Sequence, residues 1–425
     1  AATNLCDAAA ATTEKVSVLP GSYAAMRHVT DADTGHDALV ILSRPISIEG
    51  PSDPSAAVIN CAGGGGLVLG NAGAKVSGLT LTNFMTTAGL KSSALNIAAG
   101  TVSNVVVCGK GKNVSMDGVS AVTVRGLLTD SVISDIVTLN EGDVYVVGLR
   151  DAGVLRRVTV RDCNLRYIGA VDALGENGLR PSIENCMIRG NTSCYFISMK
   201  NADAFACDVL NNVTTYTYGN TVGTTFATLH RCRIVGNTAP LAIVGTATYQ
   251  RQTYATELEN CLIASNTVTR DSAAVLDVNK SAGGAKVVNC TIADNVTKGG
   301  AGVVANVGDG NAYLDMVNTI VFGHVAAGCT ADVSFESPDV TIRSSCYAEA
   351  LEDDGNGNIA KNPKFKGRGR TPYALKLGSP CLTTGDASRW TDADVDLVGN
   401  PRLIKGAVDM GCYENLIKGL MLMLK

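Results

Sequence analysis

From Val160 to Val321 one short pattern returns seven times: an apolar residue at −3, Cys at 0, an aliphatic residue at +2 and usually Asn at +5. The central residues read as Cys163, Cys186, Cys207, Cys232, Cys261, Cys290 and finally Thr319. Asn191, Asn212, Asn237, Asn266 and Asn295 hold +5, and Ile168 and His324 break it at the two ends. The steps are 23, 21, 25, 29, 29 and 29 residues. Self-similarity of this length means stacked units, each too small to bury a core alone. Val, Ile and Thr runs punctuated by Asn, Asp and Gly are strand chemistry with turns between, and no unit holds a ten-residue amphipathic helix. The chain is therefore expected to be all-β, a parallel β-helix. Asn185, Asn260, Asn289 and Asn318 stand at −1, where a bend must separate two strands. Asn enters the left-handed region at modest cost, which suits a sharp corner.

Aromatic residues are scarce at 5%, and glycine is abundant at 46 residues, as a narrow interior lined by small side chains requires. The net charge of −4, with no basic block, argues against a nucleic-acid partner. No apolar run of about 18 residues exists, so no transmembrane segment is expected.

Cys163, Cys186, Cys207, Cys232, Cys261 and Cys290 recur in register and should form an inward ladder. They read as free thiols acting as small hydrophobes, because there is no paired CxxC and only 4 His to suggest a metal site. Cys329 with Cys346, and Cys381 with Cys412, lie outside the ladder and are the disulfide candidates. Weaker copies of the repeat precede the ladder, centred on Leu79, Val105 and Leu127. The expected organisation is an N-terminal cap and first coils over 1–60 and repeats over 61–325. A loop-rich module over 326–414, its first part (325–362) read as loop, and an apolar tail over 415–425 follow.

VLPGSY, ISIEG and VSGLTLTN resemble the opening coils of secreted bacterial right-handed β-helix proteins of the pectate-lyase-like type. GNGNIAKNPKF, YALKLGSPCL, TTGD, DLVGNPR and AVDMGCYE resemble the module called choice-of-anchor Q. The first resemblance implies a right-handed parallel β-helix, and the second implies attachment at a cell surface. Asn362 departs from the module's usual Asp, and Cys381 and Cys412 replace its usual small residues; their joint appearance supports their pairing. The closing LIKGLMLMLK is not a recognisable sorting signal.

A lyase on this fold needs a basic catalyst and acidic residues holding calcium; a hydrolase needs carboxylates around the scissile bond. Neither set is assembled in the sequence. Arg156, Arg157, Arg161 and Asp162 read as a solvated face with local ion pairs. Gly35-His36 and Gly323-His324 read as isolated pairs without catalytic partners. Asp354, Asn356 and Asn358 have the alternation of a calcium loop but no closing Glu. Asp392, Asp394 and Asp396 would share one solvent face if extended. No catalytic residue and no cofactor is expected. Tyr216, Tyr218, Tyr249 and Tyr254 are the local aromatic enrichment, and are candidate glycan contacts. Leu416, Ile417, Leu420, Leu422 and Leu424 are candidate assembly contacts. The expected role is a non-catalytic structural or adhesive protein, secreted or at the cell surface, with itself as polymer partner in a filament or sheath. The alternative is a protein that binds or degrades surface polysaccharide.

Overall fold

A computed structural model describes residues 5, 9, 14–24, 28–30, 35, 37–85, 92–110, 120–138, 145–165, 169–193, 197–246, 255–271, 273–279, 284–298, 300–306, 313–324, 331–335, 339–351 and 355–416. The fold is a parallel β-solenoid. The chain divides into two compact units, Ala1–Ala202 with Asn212–Tyr216, and Asp203–Asn211 with Thr217–Lys425. In the second unit one coil runs Thr256–Glu259, Leu262–Ala264, Thr267–Asp271 and Ala274–Asn279. Each of its strands pairs in parallel with the corresponding strand of the next coil, beginning with Thr256↔Ala285 and Leu262↔Thr291. Inward residues such as Leu258, Ile263, Val268 and Leu276 are buried, while their neighbours on the first strand alternate outward.

Two left-handed corners recur in most of the described coils, and they explain the sequence pattern. At −1 the first unit has Gly78, Asn104, Asp130, Arg157 and Asn185, with φ of 70°, 49°, 50°, 53° and 53°. The second unit has Ala206, Arg231, Asn260, Asn289, Asn318 and Ser344 there, with φ between 46° and 56°. Gly78 has a further constraint, since a Cβ would fall 2.3 Å from the Pro51 carbonyl oxygen. Five residues further on, a second corner carries Asp135, Asp162 and Gly190 in the first unit and Asn211, itself placed with the second, then Gly236, Ser265, Asp294 and Gly323.

The two corners correct the register of the early repeats. Val160 pairs with Ile188 and Thr159 with Met187, so Val158, not Cys163, is the counterpart of Cys186. Cys163 follows the second corner and stands beneath Asn191, whose Oδ1 accepts from its backbone N–H at 3.1 Å. Both corners place a left-handed residue before a buried one, so their local sequences look alike. Leu127 is corrected as well: it pairs with Thr101 and Val154, three residues before the Asp130 corner, and Ser131 occupies the central position.

The expectation of loop over 325–362 is corrected too. Ala331–Phe335 pairs with Ala301–Asn306, and Val340–Arg343 pairs with Leu314–Val317, adding strands beyond Val321. Most of the Ala-rich segment expected to cap the N-terminus lies outside the described residues.

Candidate functional site

Two buried polar columns run through the coils. At the first corner of the second unit, Cys232, Cys261, Cys290, Thr319 and Ser345 stack in register. The N–H of Cys232 donates to Cys261 Sγ (3.4 Å), that of Cys261 to Cys290 Sγ (3.4 Å), and that of Cys290 to Thr319 Oγ1 (3.3 Å). The thiols in turn donate to carbonyls of the neighbouring coil, as Cys261 does to Leu229 at 3.2 Å. A corner turns its N–H along the axis, and only a small side chain with a lone pair can receive it. The ladder position therefore selects Cys, Thr or Ser as an acceptor, beyond its service as a small hydrophobe. Burial raises the Cys261 thiol well above its ordinary value, mainly by desolvation.

Asn358 closes this column. Its Oδ1 accepts from Ser345 N (3.1 Å) and its Nδ2 donates to the Ile342 carbonyl (2.8 Å). Asn356 gives its backbone carbonyl to Ser344 N. These bonds commit the Asn358 side chain to the backbone; Asp354, another calcium candidate of this stretch, lies outside the described residues.

The second column is asparagine. Asn266 Oδ1 accepts from Asn237 N (2.8 Å) and Asn237 Nδ2 (3.0 Å), and its Nδ2 donates to the Ile234 carbonyl (2.9 Å). Asn295 repeats the arrangement one coil on. His324 continues it rather than breaking it: Asn295 Nδ2 lies 3.2 Å from His324 Nε2, and His324 Nδ1 lies 2.9 Å from Asp332 Oδ1. His324 thus has a carboxylate partner, contrary to expectation, but both are fully buried and the pair ends a structural column.

The C-terminal segment lies along the second unit's first corners, using their asparagine side chains as hooks. Asn260 Oδ1 accepts from Arg402, and Asn260 Nδ2 donates to the Val395 carbonyl. Asn289 Nδ2 donates to the Asp409 and Gly411 carbonyls, and Asn289 Oδ1 accepts from Trp390 Nε1 at 3.0 Å. Asn318 exchanges hydrogen bonds with the backbone of Asp386. Arg402 is fully buried, paired with Glu414 at 3.2 Å and set over the Trp390 ring. Asp396 is buried, not solvated: it accepts from the N–H groups of Val398, Asn400 and Glu414. Asp394 accepts from Thr391, and Asp392 is exposed, so the three acids do not act as one face. A cavity of about 170 Å³ opens in this segment beside Lys366, Asn400, Tyr413 and Asn415, and Leu416 lines it.

No disulfide joins Cys346, Cys381 or Cys412 in this structure. The expected pairing of Cys381 with Cys412 is corrected: Cys381 packs with Cys346, whereas Cys412 sits in a separate cluster with Leu262 and Ala264. Cys329, Tyr249, Tyr254, Ile417, Leu420, Leu422 and Leu424 lie outside the described residues. Tyr216 and Tyr218 are exposed, and the Arg270 guanidinium lies 4.8 Å from the Tyr218 ring centre.

The basic group of the repeat region is held in ion pairs: Arg156 with Glu184 (2.6 Å), Arg157 with Asp130 (2.5 Å) and Arg161 with Asp162 (2.5 Å). A different row stands out on the second unit. Phe205, His230 and Glu259 are register partners on successive strands of one outward face. Phe205 is 39% exposed, and its ring centre lies 6.1 Å from that of His230. His230 Nδ1 lies 2.9 Å from Glu259 Oε1, and Arg389 pairs with the other oxygen while covering the Trp390 ring at 5.4 Å. Burial pushes the Glu259 carboxyl up, but the His230 hydrogen bond and the Arg389 charge outweigh it and hold it below its ordinary value. The sequence held a signal for this row: all three residues stand two positions before a ladder cysteine.

No family model matches the chain, and no curated protein matches it. Among solved structures, the crystal structure of pectate lyase Pel9A is similar over 96% of this chain and 90% of its own, at 12% identity and a TM-score of 0.38. A mutant tailspike protein of E. coli bacteriophage HK620 is similar over 81% of this chain and 70% of its own, at 12% identity and a TM-score of 0.42. A further mutant of that tailspike, in complex with pentasaccharide, covers 82% of this chain and 72% of its own at the same identity and a TM-score of 0.42. At such identity the likeness is one of fold alone.

Proposed function

We propose that this chain is a non-catalytic, polysaccharide-binding β-solenoid of a secreted or cell-surface protein. The observation that carries the reading is the outward row of Phe205, His230, Glu259 and Arg389. An exposed ring offers its face to the apolar side of a pyranose. An imidazole, a carboxylate and a guanidinium beside it supply donors and acceptors for hydroxyl groups. A rigid sheet face fixes their spacing, so little ordering is lost on binding. A glycosidase would need one carboxyl kept protonated near neutral pH. Glu259, held below its ordinary value, is poorly suited to that task. Surface attachment is supported by the resemblance of the C-terminal segment to choice-of-anchor Q, and adhesion follows if the glycan belongs to another surface.

Affinity electrophoresis through gels carrying neutral or uronate-containing polysaccharides tests the reading. The chain should be retarded by at least one, and Phe205→Ala and His230→Ala should each weaken retardation by about tenfold in Kd, as loss of a ring contact does. Equal mobility of wild type and both variants in every gel would refute it. Release of reducing ends or of unsaturated uronate would refute the non-catalytic part.

A further inference from the structure

We propose that Cys346 and Cys381 form a disulfide that fastens the C-terminal segment to the last coil of the second unit. Cys346 directly follows the ladder residue Ser345 and bridges in parallel to both Ile320 and Ile359. Cys381 belongs to the segment that runs back along the coils, and its carbonyl accepts from Met410 N at 3.0 Å. Both thiols are fully buried in one cluster with Ile320, Leu375 and Met410, where the Cys346 thiol donates to the Lys361 carbonyl at 3.1 Å.

Proximity alone does not distinguish this pair, because ladder cysteines are neighbours as well, with Cys261 Sγ 3.4 Å from Cys232 N. Geometry does. Ladder cysteines are in-register partners on parallel strands, so their Cβ atoms keep about the strand spacing of 4.8 Å. A disulfide wants Cβ atoms roughly 3.5–4.5 Å apart, which the ladder would reach only by pulling two hydrogen-bonded strands together. Cys346 and Cys381 have no strand register between them, so nothing holds their Cβ atoms at that spacing. Cys412 is engaged elsewhere, its N–H donating to Thr291 Oγ1 at 3.0 Å.

The bond forms by thiol–disulfide exchange with an oxidised dithiol of the thioredoxin-like class or with a small disulfide. One protein thiolate attacks the donor's disulfide, forming a mixed disulfide and releasing one donor thiolate. The second protein thiolate then displaces the remaining donor sulfur. Two protons and two electrons pass to the donor, and the protein gains one S–S bond. Because both sulfurs are buried once packed, exchange precedes docking of the segment.

The test is peptide mapping of the full chain after refolding in a glutathione redox buffer, with alkylation under denaturing conditions. A linked peptide pair containing Cys346 and Cys381 is expected. Both residues alkylated, or either joined to a different cysteine, overturns the proposal. Cys346→Ser and Cys381→Ser should each abolish the link, and Cys412→Ser should leave it in place; mapping of the wild type decides the matter even where a variant does not fold. Reductant should raise the rate of proteolytic cleavage within 363–415 by on the order of tenfold or more, as loss of a native cross-link does. An unchanged cleavage rate in the linked protein overturns the fastening role.

Discussion

Replacing Asn266 with Ala tests whether the buried amide column, rather than apolar stacking, sets the stability of the second unit. The substitution removes one acceptor from the N–H of Asn237 and one donor from the carbonyl of Ile234, which stays in the strand pairing with Leu262–Ala264. Asn237 Nδ2 keeps its bond to the Val209 carbonyl, and Asn295 Oδ1 keeps the one from Asn266 N, so the side-chain neighbours lose only part of their satisfaction. Weakening a buried backbone N–H in this way costs about 1–3 kcal/mol. A water filling the vacated amide site would bring the loss to the lower end of that range. Trp390 is the only tryptophan and packs against Val288, so its fluorescence reports urea unfolding of this unit. Amide exchange at Asn237 should accelerate by on the order of tenfold or more, as a local loss of that size requires. A stability change below about 1 kcal/mol with unchanged exchange at Asn237 would refute the assignment.

Three further outcomes follow from the same structure. Cys261→Ser should be milder than Cys261→Ala by about 1–3 kcal/mol in urea unfolding, since only the hydroxyl can still accept from Cys232 N; equal losses would make the ladder a purely apolar device. Arg402→Met leaves Glu414 buried without its cation and should cost about 3–5 kcal/mol, read as early proteolysis of 363–415, with partial recovery in Arg402→Met/Glu414→Gln. Asp130 is lowered from 3.8 to about 2, chiefly by the Arg157 hydrogen bond. A depressed carboxyl stabilises the folded state above its unfolded pKa and loses that contribution as pH falls through the folded one. Asp130→Asn should therefore flatten the stability profile between about pH 4 and pH 2, by under about 1 kcal/mol because the pair is half exposed; an unchanged slope would show the pair to be inert.

The period of the chain was legible because coil length and side-chain direction repeat together. From Cys232 to Thr319 the 29-residue step is constant, and there the sequence register and the observed register agree. Register failed at Cys163, where two corners five residues apart present the same left-handed-then-buried signal, and at Leu127, which opens the strand before the Asp130 corner. His324 was missed as a rung because it differs in kind from asparagine while offering an acceptor nitrogen at the needed place. The outward row escaped notice since its three members share no residue type; only their common offset from the ladder cysteines connects them. Contacts of Arg402, Trp390 and Asp396 were beyond reach, because they join positions more than a hundred residues apart or depend on irregular turns with no period.

The hooks at Asn260, Asn289 and Asn318 make the C-terminal segment a ruler laid against a growing stack. Its Arg402, Trp390 and Asp386 meet those hooks at fixed intervals, so duplication or loss of a coil between residues 260 and 318 would put every contact out of step. Upstream, Ala206 and Arg231 stand at the first corner in place of an asparagine hook, and the steps there are 21 and 25 residues. In lineages of this molecule, length should vary upstream of Asn260 and stay frozen where the ruler lies.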